Sequence, residues 1–389
     1  MKTFLDWSAY KDAGMGDAYA DIPKTGGDFA KAVAVCINSG LCRTHSKGVM
    51  CPSYRVSGVD GHSTGGRVKM LKAALNGELG ALPFADPELA EAMDLCVSCK
   101  GCKRECENEV DMAAIKIEYL AQRQAQTGPS LRTRLFAGLP RFLHRWPWLK
   151  GLPALRNRQP WLAALGEKAL GISARRRLPE PATHAFRAPE HGAAGEIARE
   201  VVLFVDTFTL HFEPDIAAAA LAVLNAAGYR AIVAGAAADD AEAGRPLCCG
   251  RTWLAHGLVA DARREASRVL AALLPNADAG RPIVGLEPAC ILSLRDEHTM
   301  LGLGEPALKL AQRILLFEEF IAKEHTAKAF ALEFKPAAGT TPVLVHGHCH
   351  QKAVGAMKSM RKVLKLVPAV TLRRNGARVF RRNGATRKG

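Results

Sequence analysis

One cysteine-rich stretch determines the fold of the first half of the chain: Cys96-Val97-Ser98-Cys99-Lys100-Gly101-Cys102-Lys103-Arg104-Glu105-Cys106. Its cysteines follow the pattern C-x2-C-x2-C-x3-C, the spacing with which short segments hold a [4Fe-4S] cluster. Thiolates at steps of three residues let one tight loop reach three corners of a cluster. A zinc site needs two cysteine pairs separated by a longer loop, and a disulfide is strained between cysteines this close. The spacing therefore favours an iron–sulfur cluster.

Three further cysteines lie upstream, at positions 36, 42 and 51, and the last of them is followed by Pro52. In proteins with two clusters, the cysteine that precedes a proline binds the cluster of the other motif. This rule predicts that Cys51 completes a cluster held by Cys96, Cys99 and Cys102.

The remaining cysteines of this region, Cys36, Cys42 and Cys106, are one ligand short of a second [4Fe-4S] cluster. His45 could supply the missing ligand, or the three cysteines could hold a three-iron cluster. Alternatively, Cys36 and Cys42 are small buried hydrophobic residues. We therefore expect one [4Fe-4S] cluster, with a second as an alternative.

Length and composition indicate a multidomain globular protein. A chain of 389 residues with 48% hydrophobic content has room for two or three domains. Its eleven cysteines are clustered, which is typical of ligands or redox groups in a reducing compartment rather than of a secreted disulfide framework. The start does not resemble a signal peptide, and no stretch has the ~18 consecutive apolar residues of a spanning helix. We expect a cytoplasmic protein.

The net charge of +15 is concentrated in two segments. Residues 131–178 contain eleven Lys or Arg and one acid, and residues 371–389 contain seven and none, so the rest is nearly neutral and no nucleic-acid partner is expected. In the first segment Trp146, Trp148 and Trp161 alternate with basic residues. This pattern suits the inner face of an anionic cell membrane, a docking surface for a partner domain, or a linker packed on its own neighbours.

The periodicities predict an α+β multidomain fold. Helices are expected from Phe29, from Arg67 to about Leu79, and from an Asp111 cap to about Gln126, which gives an α-helical cluster-binding domain at 28–127. The Gly61–Arg67 turn has two interpretations: Ser63 or Thr64 caps a helix, or His62 and Arg67 form hydrogen bonds near a cluster. Residues 128–195 are predicted to form a basic linker of short helices separated by prolines.

The second half has an α/β pattern that begins near residue 196. Strands are predicted at 201–205, 230–234, 283–286 and 343–345, with helices between them. Cysteines fall where strands end, the place where open α/β sheets bind ligands. A second metal or redox site is therefore predicted from Cys248, Cys249, Cys290, Cys349 and His350.

These motifs together resemble the iron–sulfur half of FAD/Fe-S oxidoreductases such as D-lactate and D-2-hydroxyglutarate dehydrogenases, and the glycolate oxidase iron–sulfur subunit. The resemblance rests on six segments: Gly48–Tyr54, His62–Thr64, Cys96–Met112, Cys248–Gly250, Glu287-Pro288 and His348–Lys352. It implies a ferredoxin-like domain at 28–127 and a CCG domain at 196–370, the cysteine-rich domain of heterodisulfide reductases, with two partial repeats. Electrons would pass from a reduced flavin toward quinone or another acceptor.

The chain departs from that pattern in several places. Glu107 follows Cys106 where the family usually has proline, and Glu287-Pro288-Ala289-Cys290 stands where the family usually has Cys-x2-Cys. The Cys-Cys-Gly expected after residue 371 is replaced by a basic tail, 371–389, which we expect to be disordered and which suggests a truncated or frameshifted end. No glycine-rich flavin-binding stretch is found, so FAD is expected only on a partner dehydrogenase.

The sequence thus predicts an electron-transfer protein serving a flavin-dependent D-2-hydroxy-acid dehydrogenase. One alternative is a heterodisulfide or thiol reductase that uses the CCG cysteines in catalysis. Another is a zinc-stabilised basic binding module, which the nearly neutral domains disfavour.

Overall fold

A computed structural model describes residues 1–17, 20–44, 48, 50–188, 199–330, 332–336 and 342–374. The chain groups into two compact units, which are described separately. One unit contains Met1–Gln126 together with the segment from Phe334 onward, and the other contains Thr127–Glu333.

The N-terminal part of the first unit consists of short helices around a small apolar core. Its helices are α1 (Asp28–Ala34), α2 (Pro52–Ser57), α3 (Thr64–Asn76), α4 (Pro87–Asp94), α5 (Gly101–Glu105) and α6 (Met112–Thr127). Ser63 caps α3 through a hydrogen bond that its Oγ accepts from Gly66 N at 3.0 Å. Asp111 accepts one from Ala114 N at 3.0 Å at the start of α6. Asp111 was expected to cap α6, and Ser63 was one of two candidate caps for α3, which begins at Thr64 rather than near Arg67 as expected.

The second unit is built on a four-stranded parallel sheet of order β2-β1-β3-β4. Its strands are β1 (Arg199–Phe204), β2 (Tyr229–Val233), β3 (Ile283–Gly285) and β4 (Ile314–Leu316). β1 is central and its last four residues are buried, as its run of Val and Leu predicts for a parallel strand. The strand order reverses between β1 and β3, so the carboxyl ends of these two strands frame a switch point where α/β folds bind ligands.

Helices surround this sheet and also form the basic segment that precedes it. They are α7 (Leu131–Ala137), α8 (Leu139–Arg145), α9 (Leu152–Arg158), α10 (Pro160–Leu170), α11 (Thr207–His211), α12 (Pro214–Ala226), α13 (Arg251–Leu254), α14 (Val259–Asp278), α15 (Pro288–Arg295), α16 (Glu305–Ala311) and α17 (Phe317–Thr326). Arg141 of α8 forms ion pairs with Asp261 and Glu265 of α14 at 3.2 and 2.9 Å. The first helices of the predicted linker therefore pack on the α/β unit.

The C-terminal segment returns to the first unit with α18 (Cys349–Ala353), α19 (Met357–Leu364) and a parallel pair, β5 (Val343–Val345) and β6 (Leu372–Arg374). This arrangement differs from the predicted domain at 196–370, because α18 packs on α5 rather than extending the four-stranded sheet. The start of the predicted basic tail, 371–389, includes β6, and the disorder of this tail stays a prediction. Residues 375–389 lie outside the described residues.

Within the described parts of the chain, none of the helices combines the length and the apolar character needed to cross a bilayer.

Candidate metal centre

The first unit contains a cavity whose wall includes four cysteines from two separate segments. Its volume is about 310 Å³, including space open to solvent, and Cys51, Cys96, Cys99 and Cys102 all line it. These are the four residues that the Cys-Pro rule assigns to one cluster. A hydrogen bond of 2.9 Å, which Glu105 of α5 accepts from Met50 N, connects the segment of Cys51 to the Cys96–Cys106 loop.

Left-handed backbone conformations shape this cavity. Cys51, Ser98 and Lys100 have φ values of +51°, +48° and +58°, which non-glycine residues rarely adopt. Such strain is common at binding sites, where the surrounding structure holds it. The two left-handed residues between Cys96 and Cys102 fold the loop back so that three cysteines reach one cavity.

The N-terminus of α3 directs backbone N–H groups at two sulfurs. Thr64 N donates to Cys51 Sγ at 3.1 Å and Gly65 N to Cys42 Sγ at 3.3 Å, while Thr64 Oγ1 lies 3.0 Å from Cys51 Sγ. The hydrogen bond between the Cys42 and Cys51 thiols lowers the pKa of Cys42 to about 5 and raises that of Cys51. Helix-terminal N–H donors favour a thiolate over a thiol, as a metal ligand requires.

The other thiols of the cavity are held in a less polar environment. Burial raises the pKa of Cys99 and raises that of Cys102 to about 12. Lys116 of α6 donates to Cys96 O at 2.6 Å, and burial lowers the pKa of its amine. Buried thiols with these pKa values lose their protons on metal binding, because the cation replaces the proton.

The second predicted set, Cys36, Cys42 and Cys106, is also brought together. Burial raises the pKa of Cys36, and the charges of Cys106 and Cys42 raise it further, which places all three within electrostatic range. His45, the candidate fourth ligand, lies outside the described residues.

The donors and the cavity fit a cluster. Four thiolates around a cubane bind four different iron atoms, so their sulfurs stand further apart than the ligands of one ion. In the described ranges, no three His, Cys, Asp or Glu side chains converge as ligands of a single metal ion. The soft sulfur donors suit iron.

The Cys349 segment lies against this site, within the first unit. His350 Nε2 donates to Ser98 O at 3.1 Å, and Arg104 Nη1 donates to Lys352 O at 2.6 Å. Cys349 adds to the electrostatic effects that raise the pKa of Cys99, of which burial is the largest. Cys349 and His350 therefore neighbour the Cys96–Cys106 loop.

The remaining predicted residues, Cys248, Cys249 and Cys290, come together in the second unit and are all buried. Cys249 forms hydrogen bonds with both other thiols. Cys290 lies in the first turn of α15, where its N–H donates to Glu287 Oε2 at 2.5 Å. The bond with Cys249 lowers the pKa of Cys290, but burial and the Asp206 and Glu287 carboxylates raise it to about 12.

Three polar neighbours of these sites were not recognised from the sequence as site residues. Lys116 contacts the cluster loop, Asp206 caps α11 beside Cys290, and His298 donates to Cys249 O at 2.8 Å. Asp206 could have been found, because it follows the predicted central strand at the edge where ligands bind. The other two are brought to their sites by tertiary contacts, for which the sequence has no local signal.

Comparison with known proteins identifies the class of the first unit. Residues 32–110, which contain all seven N-terminal cysteines, match the family described as the 4Fe-4S dicluster domain. The chain therefore carries an iron–sulfur cluster-binding domain. No solved structure matches the chain significantly.

Over a longer range the chain is similar to D-2-hydroxyglutarate dehydrogenases. It is 22% identical to the Escherichia coli K12 protein over 363 residues, covering 81% of this chain and 34% of the relative. It is 24% identical to the Pseudomonas putida KT2440 protein over 339 residues, covering 76% of this chain and 32% of the relative. The chain thus spans about a third of the length of the curated relatives it matches. These similarities support an electron-transfer role in an oxidoreductase.

Proposed function

We propose that the chain carries electrons from a flavin-dependent D-2-hydroxy-acid dehydrogenase to quinone or another acceptor. The observation that carries this proposal is the single cavity lined by Cys51, Cys96, Cys99 and Cys102. When bound, a cluster there takes up and gives up one electron at a time. Similarity to D-2-hydroxyglutarate dehydrogenases supports the class of electron source, a flavoprotein that oxidises a hydroxy acid to an oxo acid.

The test is spectroscopic. Anaerobically purified protein should contain iron and acid-labile sulfide and show a broad band near ~400 nm that bleaches on reduction, as thiolate-ligated iron clusters do. Electrons should then pass from a D-2-hydroxy acid to the cluster only when the flavoprotein dehydrogenase is added. A colourless protein that contains zinc would contradict the proposal.

A second cluster at Cys36, Cys42 and Cys106 belongs to the same proposal. Two observations support it: the three cysteines lie within electrostatic range of one another, and the region matches a dicluster domain. Iron analysis separates the alternatives, since two clusters require about twice the iron and sulfide of one per chain.

The alternative function, a thiol or heterodisulfide reductase, is supported by the hydrogen-bonded thiols of Cys248, Cys249 and Cys290 at the carboxyl edge of the sheet. Against it, the hydrogen bond with Cys249 and burial raise the pKa of Cys248, and burial raises that of Cys290, which favours the thiol form, a poor nucleophile. Turnover of a disulfide substrate that is lost in Cys249→Ser would favour the reductase.

We further propose that residues 131–178 contact the anionic inner face of the cell membrane, which would bring the chain to a quinone. Eight large apolar side chains between residues 131 and 165 are exposed, including Trp148 at 68% and Trp161 at 64%. Basic residues lie among them, so apolar insertion and attraction to anionic headgroups would act together.

A further inference from the structure

Arg67 is a charged side chain in the core of the first unit. It lies in α3, is 1% exposed, and shares the buried face of this helix with Val68, Leu71 and Leu75. Its Nε donates to Ala92 O at 2.7 Å, and its Nη2 donates to Ser53 Oγ at 2.8 Å. Both acceptors are neutral.

Among the residues that the structure describes, no carboxylate forms an ion pair with Arg67. The second unit shows the usual arrangement, since buried Arg245 pairs with Glu265 at 2.9 Å and Arg251 pairs with Glu297. A buried cation without an anion is costly, because neutral hydrogen bonds replace only part of its hydration. The surroundings of Arg67 therefore require a negative group.

The cavity supplies the place for that group. Arg67 lines the same wall as Cys51, Cys96, Cys99 and Cys102. Two further cations lie there: Lys100 lines the same cavity, and Lys116, which donates to Cys96 O, lies within electrostatic range of Arg67. A cluster with four thiolate ligands carries net negative charge, and reduction increases that charge by one electron.

We propose that Arg67 is an internal counter-charge of the cluster and raises its reduction potential. This inference rests on the proposed assignment of the four cysteines to one cluster. A fixed cation in a medium of low dielectric stabilises the more negative, reduced form over the oxidised form. Arg67 thus holds a fixed positive charge beside the cluster, and its hydrogen bonds also link α3 to α2 and α4.

The experiment is a redox titration of the anaerobically purified full chain, followed by EPR, in Arg67→Gln and Arg67→Lys. Arg67→Gln removes the charge and keeps a hydrogen-bonding amide, whereas Arg67→Lys keeps the charge. Lys69→Gln removes a charge from the exposed face of the same helix and is the matched control. We expect Arg67→Gln to disfavour reduction roughly tenfold, a shift of 59 mV to more negative potential for one electron. Arg67→Lys and Lys69→Gln should remain near the wild-type potential.

The inference is overturned if Arg67→Gln has the potential of Lys69→Gln, or if Arg67→Lys shifts as far as Arg67→Gln. Should Arg67→Gln not retain a cluster, iron and sulfide content of Arg67→Lys decides: retention shows that the charge is needed, and loss shows a structural role only. If the wild-type chain itself contains no iron or sulfide, the proposed function fails, which is a separate result.

Discussion

Ser63 connects local helix chemistry to the metal centre. Its side chain caps α3, and the next two residues of that helix direct their N–H groups at Cys51 and Cys42. A cap that fixes the first turn also fixes these donors. The positions of two sulfurs therefore depend on a hydroxyl that is not itself a ligand.

Ser63→Ala should lower the free energy of unfolding by about 1 kcal/mol, the usual cost of losing an N-cap. It should also lower the iron content per chain, because the first turn of α3 loosens. Ser130→Ala removes the corresponding cap of α7 in the second unit and is the control. Equal iron content in both variants would show that α3 does not position the sulfurs.

His211 should make the stability of the second unit depend on pH. Burial, with smaller effects of Lys150 and His144, lowers its pKa from 6.5 to about 4. Because the folded form then binds a proton less readily than the unfolded form, the His211 contribution is constant above pH 6.5. Stability falls as pH decreases from 6.5 to 4, by up to about 3 kcal/mol.

Thermal unfolding between pH 4 and 7 measures this effect as the difference between the wild type and His211→Gln. The wild type should lose more stability on acidification than the variant does, and exposed His184→Gln serves as the control. Parallel profiles for the wild type and His211→Gln would contradict the assignment.

At the scale of secondary structure, local capping residues indicated where helices begin, whereas the burial of Arg67 and the position of α18 were not predicted. The starts of α3 and α6 follow from Ser63 and Asp111, whose capping chemistry is local. Arg67 was considered a residue near a cluster, but its burial could not be inferred, because an arginine on a helix is usually exposed. One signal was available: Arg67 shares its helical face with Leu71 and Leu75.

The position of α18 had no such signal. His350 and Ser98 are separated by 252 residues along the chain, and the pattern around His350 matched the end of a strand equally well. Strand β4 was missed for a related reason: it has three residues and lies between two helices. Short elements depend on tertiary pairing rather than on their own periodicity.

The contact of α18 with α5 should be measurable by hydrogen exchange. Arg104→Gln removes the donor to Lys352 O, an exposed interaction for which we expect a small cost of stability but a local increase in exchange across residues 346–355. Lys358→Gln, an exposed cation of α19, is the control. Unchanged exchange in Arg104→Gln would mean that apolar packing alone holds α18.

For the whole molecule, charge and exposed apolar surface coincide in residues 131–178. This coincidence predicts binding to vesicles that contain anionic phospholipid, with affinity that decreases as salt increases. The double variant Trp148→Ser/Trp161→Ser should bind at least roughly tenfold more weakly, because two partly inserted aromatic side chains are lost. The control is Ile216→Ser/Leu308→Ser, which alters apolar residues about half exposed elsewhere in the second unit.

Vesicle co-sedimentation of the full chain measures this binding. Equal binding by the two double variants, or no binding by the wild type, would contradict the proposal that the exposed apolar residues of 131–178 bind a membrane.

We propose that Cys51 completes the cluster held by Cys96, Cys99 and Cys102. The most direct test is EPR of the reduced, anaerobically purified protein after separate replacement of Cys51 and Cys106 by alanine. We expect Cys51→Ala to lose the main cluster signal and Cys106→Ala to keep it, since the cavity is lined by Cys51 together with the first three cysteines of the motif. Loss of that signal in Cys106→Ala, with retention in Cys51→Ala, would contradict it.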